Sequence, residues 1–384
     1  MDQTTFIQLL AAAVQNEVSD IHLQVGTPPS FRLKGELVNV KSPPLTDKDI
    51  LLILGYVLQD PKVRAKITEL RDYDGSFEIK NLARFRINVL KNQGRLGLVM
   101  RVVPLVVPTI EKLGLPNVLK KIAAMPRGLV LVTGVTGSGK SSTLAAMIDY
   151  LNSNHPLHIL TVEDPIEFVH PVKKARITQR EVGSDTENFT HALRAALRQD
   201  PDVILVGEMR DAETIDVALK AAETGHMVFS TVHTVDAIKT IGRLVSVFPP
   251  SEQKMVRMRL AENIAATISQ RLIPRANGKG MVAGQEIMIN NGAIAECIAN
   301  PDLTGTMNDY ILKSFQADGS GGRTFEQHLV QLYQDKTITL EAALEFSSNP
   351  SDFRRNLMYG VKSNEAPDMS DVMELDRGDS KKVS

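Results

Sequence analysis

Gly134-Val135-Thr136-Gly137-Ser138-Gly139-Lys140-Ser141 is the stretch on which the fold turns. It follows the apolar run Leu129 to Val132 and precedes Ser142 to Leu151, so the eight residues stand between a predicted buried strand and a predicted helix. Glycines at this spacing let successive backbone N–H groups wrap a phosphate, and the helix behind them adds the positive end of its dipole. Lys140 then reaches the β- and γ-phosphates, and Ser141 offers a hydroxyl to Mg2+. Gly134, Val135, Thr136, Gly137, Ser138, Gly139, Lys140, Ser141 and Ser142 are therefore the expected ATP-binding segment.

Downstream, near-continuous apolar runs recur at Ile159 to Val162, Val203 to Val206 and Met227 to Val232, with helical patterns between them. Such runs are typical of a parallel sheet covered on both faces, which makes this part of the chain α/β. Upstream the pattern differs. Ile21 to Val25 and Phe31 to Gly35 alternate with a period of two, Asp47 to Asp60 carries an apolar helical stripe, and further strands are predicted at Tyr73 to Ile79, Ala83 to Leu90 and Arg95 to Val102. That is a small α+β domain over 1–102. Pro104 and Pro108 mark a linker over 103–113. The ATPase region then runs over 114–360, with Ser251 to Gln270 and Gly322 to Tyr333 read as helices around a strand at Val282 to Ile289. Residues 361–384 are charged and lack an apolar period, as a disordered tail does.

A chain of 384 residues with 43% hydrophobic and 23% charged residues is globular in composition and long enough for two cores. Its net charge of −1 gives no global field for nucleic acid, and no basic tract with interleaved aromatics is present, so nucleic-acid binding is not expected. The single Cys297 cannot close an internal disulfide and suits a reducing compartment. No apolar run reaches 18 residues and Met1 to Asn16 lacks the marks of a signal peptide, so a cytoplasmic location is expected.

Glu208 closes the apolar strand Asp202 to Gly207, the position of a group that activates water or holds a metal-bound one. Thr161 to Glu167 crowds Glu163, Asp164 and Glu167 together, which suits a cation or an incoming guanidinium, or else a solvated acidic loop. His226 and His233 flank the strand Met227 to Val232 and either read a phosphate through a neutral hydrogen bond or serve structure alone; their spacing is not that of a zinc pair. Arg180, Arg194, Arg198, Arg210 and Arg243, with Arg84, Arg86 and Arg101 upstream, supply guanidinium groups for phosphate, some of them as surface salt bridges.

Together, Gly134 to Ser141, Glu163 to Glu167, Gly207-Glu208-Met209-Arg210-Asp211 and Gly225 to Thr234 resemble the Walker A, Asp box, Walker B and His box of the type II/IV secretion ATPases. Gln179 to Gly183, Ala195 to Asp202 and Ala221 to Gly225 make the chain similar to the type IV pilus retraction ATPases, the PilT/PilU group, over roughly residues 1–360. The resemblance implies a PAS-like N-terminal domain, a RecA-like P-loop ATPase domain with a helical C-terminal part, and a homohexamer binding ATP between subunits. It also implies a motor that moves the inner-membrane pilus platform protein from the inner face of the cytoplasmic membrane. By motif, Glu208 is the catalytic glutamate, Glu167 and Glu163 the Asp-box acids and His233 the His-box residue nearer the nucleotide; Lys140, Arg180, Arg194 and Arg198 join them as catalytic candidates, and His226 and Arg210 join the nucleotide-binding set.

One stretch departs from the family pattern. PilT proteins carry Ala-Ile-Arg-Asn-Leu-Ile-Arg-Glu after the ATPase core, whereas here Gly292 to Ala299 holds no arginine, with Ala295 and Ala299 in the places of the two. Arg323 to Tyr333 and the extended tail look closer to PilU. The expectation is thus an accessory, PilU-like motor working with a second PilT-type ATPase; the alternatives are a PilT-like main motor and a nucleotide-binding regulator without hydrolysis.

Overall fold

The computed structural model describes residues 1–33, 35–80, 82–103, 106–315 and 321–359, and the chain divides into two compact units. Residues 1–107, 163–171 and 179–188 form the first; 108–162, 172–178 and the chain from 189 onward form the second. The tail expected over 361–384, part of the linker and residues 316–320 lie outside the described residues.

In the first unit, strands β1 (Asp20–Gln24), β2 (Ser30–Leu33), β3 (Glu36–Asn39), β4 (Asp72–Ile79), β5 (Ala83–Asn92) and β6 (Arg95–Val103) pair antiparallel in the order β3-β2-β1-β6-β5-β4. Period-two alternation decides which face is buried: Ala83, Phe85, Ile87 and Val89 of β5 point inward with Leu98 and Met100 of β6. The helices Gln3–Gln15 and Asp47–Val57 cover that face with Phe6, Leu9, Leu10 and Ala13, and with Ile50, Ile53, Leu54 and Val57. The Asp2 carboxylate accepts from the Thr5 amide to start the first helix, and a Thr46/Asp49 capping box starts the second.

The later segments that join this unit are tied in by charge. The Arg84 guanidinium of β5 donates to the Glu181 carboxylate at 2.6 Å and to the Ser76 hydroxyl at 2.9 Å. Glu181 is buried and also accepts from the Ile166 amide at 3.1 Å. Removing one partner of such a pair leaves an uncompensated buried charge, at a cost of about 3–5 kcal/mol.

The second sheet comprises β7 (Gly128–Thr133), β8 (His158–Glu163), β9 (Arg176–Glu181), β10 (Val203–Val206), β11 (Met227–Val232), β12 (Ile264–Pro274) and β13 (Met281–Ile289), ordered β13-β12-β7-β11-β10-β8-β9. Strands β12, β7, β11, β10 and β8 run parallel, and β13 is antiparallel to β12. Every residue of β7, β10 and β11 is buried, as a sheet covered on both faces requires. The helix Lys140–Asn154 packs on it through Leu144, Met147, Ile148 and Leu151.

One expected element changes identity. Ser251 to Gln270 reads as a single helix, but the helix Pro250–Asn263 ends at Asn263 and β12 begins at once. From Ile264 onward the β-branched Ile264, Thr267 and Ile268 are buried between β7 and β13, and pairing on both edges overrides the helical propensity of the preceding turns.

A carboxylate lies inside this sheet. Glu286 of β13 accepts from the Ala237 amide at 2.9 Å. Burial pushes its pKa up to about 7; the Ala237 hydrogen bond and Arg271 oppose the rise, while Asp236 and Glu326 add to it. A pKa raised on folding stabilises the fold below the unfolded-state value and loses that contribution as pH rises through the folded-state one. Urea unfolding should therefore show the wild type losing up to about 3 kcal/mol relative to Glu286→Gln between pH 4 and pH 8. A constant difference between the two across that range would contradict the assignment.

Candidate active site

The carboxyl edge of the parallel sheet is where an open α/β sheet presents its loops, and the decisive stretch leaves β7 there. Its curvature depends on glycine. Gly134, Gly137 and Gly139 have φ of +147°, +82° and +86°, backbone that side chains rarely tolerate. A Cβ at Gly134 would collide with the Ser138 hydroxyl and the Gln270 carbonyl. Gly139 caps the helix that Lys140 begins.

Lys140 is almost wholly buried, and its ammonium donates to the Gly134 and Val135 carbonyls at 3.0 Å each. Burial lowers its pKa, with the Glu208 charge acting in the opposite sense. The Ser138 hydroxyl is buried and, among the described residues, has no protein partner. A ring of backbone with a spare hydroxyl, a buried ammonium and no room for a Cβ suits a phosphate. The exposed Ser141 hydroxyl beside Lys140, with Glu208 as a nearby carboxylate, is the hard oxygen set that Mg2+ takes.

Parallel register brings the next groups to the same edge. Val206 of β10 lies opposite Ser230 of β11, and Val232 lies opposite Thr133 of β7, so Glu208 and His233 both follow strands that end beside the loop. The Thr231 hydroxyl donates to the Gly207 carbonyl at 2.6 Å, fixing the turn that carries Glu208. The Glu208 carboxylate is paired with the Arg210 guanidinium at 2.6 Å and lies 3.8 Å from His233 Nε2. Burial, then Lys140 and Arg210, lower the His233 pKa, against the pull of Glu208, so its imidazole is neutral at neutral pH.

Other expected site residues lie elsewhere. His226 precedes β11 at its opposite end, a strand length of roughly 20 Å from His233. Its Nδ1 faces the Ala221 carbonyl at 2.9 Å and the Thr224 hydroxyl at 3.1 Å, so in this chain it anchors a helix end and does not reach the loop. Arg194 is in an exposed pair with Glu213 at 2.7 Å, and Arg198 donates to the Arg194 carbonyl at 3.0 Å.

Glu163 and Glu167 belong to the first unit with Arg180. There the Gln179 amide donates to Glu163 at 3.2 Å, Glu167 lies 3.8 Å from the half-exposed Arg86, and Arg180 donates to the Asp185 carbonyl at 2.9 Å.

The loop has a brace that motif spacing does not reveal. The Gln270 amide of β12 donates to the Ser138 carbonyl at 2.6 Å, and its Oε1 accepts from the Thr143 hydroxyl at 2.9 Å. Polar residues in an otherwise apolar strand, Ser269-Gln270, are the signal that sequence offered for it.

A phosphate loop on a parallel sheet, with an acid two residues beyond the next strand but one, defines a P-loop ATPase. Residues 3–311 match the family described as type II/IV secretion system protein. The chain belongs to that family. It is 47% identical over 347 residues to the type IV pilus retractation ATPase PilT of Pseudomonas aeruginosa, covering 90% of this chain and 99% of the relative. To the type IV pilus ATPase PilU of the same organism it is 36% identical, covering 93% and 92%. A crystal structure of the pilus retraction motor PilT with bound ADP superposes with a TM-score of 0.83 at 42% identity, covering 92% of this chain and 99% of that one.

Gly134→Ala should leave the sheet folded but raise the Kd for ADP at least tenfold, because the added methyl displaces Ser138 or Gln270 from the loop. Titration of a fluorescent ADP against the variant measures it. Unchanged affinity would mean the loop does not hold phosphate.

Proposed function

We propose that the chain is a ring-forming motor that hydrolyses Mg-ATP at residues 134–141 to drive type IV pilus retraction. The observation that carries this is a buried Lys140 within the field of Glu208 at one sheet edge, in a chain 47% identical to PilT along nearly all of that protein. Phosphate entering the loop takes the Lys140 ammonium from the Gly134 and Val135 carbonyls. Ser141 would hold Mg2+, which would supply charge neutralisation to the phosphates. Glu208 orients and deprotonates the attacking water once Arg210 leaves its carboxylate, and the neutral His233 donates a hydrogen bond toward the γ-phosphate.

In this reading the motor is a homohexamer at the inner face of the cytoplasmic membrane, acting on the inner-membrane pilus platform protein. Among the described residues no helix is long and apolar enough to cross a membrane, so attachment there runs through partners. The greater identity to PilT favours a main retraction motor. One observation favours the accessory, PilU-like role: the helix Gly292–Ala299 presents Ala295 and Ala299 and carries no arginine, so two charge-assisted contacts to a second component cannot form.

Lys140→Ala should abolish ATP binding and hydrolysis together, whereas Glu208→Gln should keep nucleotide affinity and lower kcat at least about 10²-fold. Near-normal kcat in Glu208→Gln would remove it as the base. The motor's role is read from pilus retraction in cells with this protein as their sole retraction ATPase: retraction supports the main motor, and retraction only alongside a catalytically dead PilT-type partner supports the accessory one.

A further inference from the structure

The brace on the phosphate loop does not end at Gln270. Gln270 and Gln285 are directly opposed across β12 and β13, and the Gln285 amide donates to Gln270 Oε1 at 3.1 Å. The Gln285 backbone N–H in turn donates to His328 Nδ1 at 2.8 Å. His328 lies on the helix Phe325–Gln334, whose Thr324/Gln327 capping box fixes its start. Just before that helix, Arg323 pairs backbone to backbone with Ile287 of β13, at 2.8 and 2.9 Å. The helix and the residue before it are therefore held to the strand at two points, Ile287 and Gln285.

Every side chain in this chain of contacts is buried: Ser138, Gln270, Gln285 and His328 are 3%, 2%, 0% and 4% exposed. Leucine or methionine would fill these positions without the desolvation cost of an amide, and Gln285 Oε1 has no partner among the described residues, so the arrangement is not the most stabilising one available. What it does supply is directionality. The Gln285 backbone N–H can only donate, so it selects the His328 tautomer in which Nδ1 accepts, and burial keeps the ring neutral, with its pKa driven down to about 3.

We propose that His328, Gln285 and Gln270 form a buried relay through which the C-terminal helix Phe325–Gln334 sets the position of the Ser138 carbonyl, and with it the phosphate loop. Gln270 is a positioning residue for nucleotide, and the relay lets whatever displaces that helix change nucleotide affinity. The proposal rests on the loop being the nucleotide site. A displacement of the helix releases Gln285, leaves Gln270 Oε1 held by the Thr143 hydroxyl alone, and loosens the Ser138 carbonyl from its donor.

The test measures the Kd of the full-length chain for a fluorescent ADP, with thermal unfolding alongside. His328→Leu removes the acceptor and should raise Kd about fivefold; His328→Asn, whose Oδ1 replaces Nδ1, should restore it to within about twofold of wild type. Combining His328→Leu with Gln270→Leu should give the Kd of Gln270→Leu alone, because both interrupt one chain. Should His328→Leu not fold, Gln285→Met breaks the same chain one link nearer the loop and carries the same expectation. Wild-type Kd in the His328 or Gln285 variant, no rescue by asparagine, or effects that multiply in the double variant would each overturn the relay. Lys140→Ala separates the two readings: loss of binding there with an unchanged His328→Leu refutes the relay alone, whereas retained binding in Lys140→Ala refutes the nucleotide site and the relay with it.

Discussion

The close approach of the loop backbone at Gly134 to Ser138 and the Gln270 carbonyl is the constraint on which the rest of the second unit depends. With no room for a Cβ there, the chain leaves β7 in a tight arc, and the helix behind it starts at Lys140 with its free N–H groups facing the arc. Parallel pairing of β7 with β11, and of β11 with β10, then places the ends of those strands beside the arc. His233 and Glu208 gain their positions from this register and need no contact of their own to the loop. Their electrostatics follow: burial, then the Lys140 ammonium and an arginine, keep the histidine neutral, and the arginine holds the acid in an ion pair.

This organisation explains what could be read from sequence and what could not. Glycine spacing and unbroken apolar strands are local, so the loop, β7, β8, β10 and β11 are legible in the sequence alone. The first unit's alternation was equally plain at β5 and β6. The strand β12 was not, because no proline or glycine separates it from the helix Pro250–Asn263, and its identity comes from two neighbours distant in sequence. The same remoteness hid the brace: Ser138 and Gln270 are 132 residues apart.

Among the site residues, motif resemblance puts both histidines with the nucleotide, His233 the nearer, whereas strand direction leaves only His233 at the loop. A six-residue strand puts His233 at the loop edge and His226 at the opposite one, where it holds a helix end. The acidic segment shows a different limit. Charge crowding in Glu163 to Glu167 suggests a cation or an incoming guanidinium, and Arg86 lies 3.8 Å from Glu167; buried Glu181 and Arg84 bind this stretch into the first unit, an association that needs residues 97 apart to meet. Glu286 gave no sequence signal at all, since a lone glutamate in an apolar strand is uncommon but carries no motif.

The central claim is that one loop, Lys140 and Glu208 constitute the hydrolytic centre. A structure of the chain determined with Mg2+ and a non-hydrolysable ATP analogue tests it most directly. The β-phosphate should lie within the arc of residues 134–141, with the Lys140 ammonium moved from the Gly134 and Val135 carbonyls onto phosphate oxygen and the Glu208 carboxylate released from Arg210 toward the γ-phosphate. Nucleotide bound elsewhere, or bound at the loop with Lys140 still donating to those two carbonyls, would contradict the account.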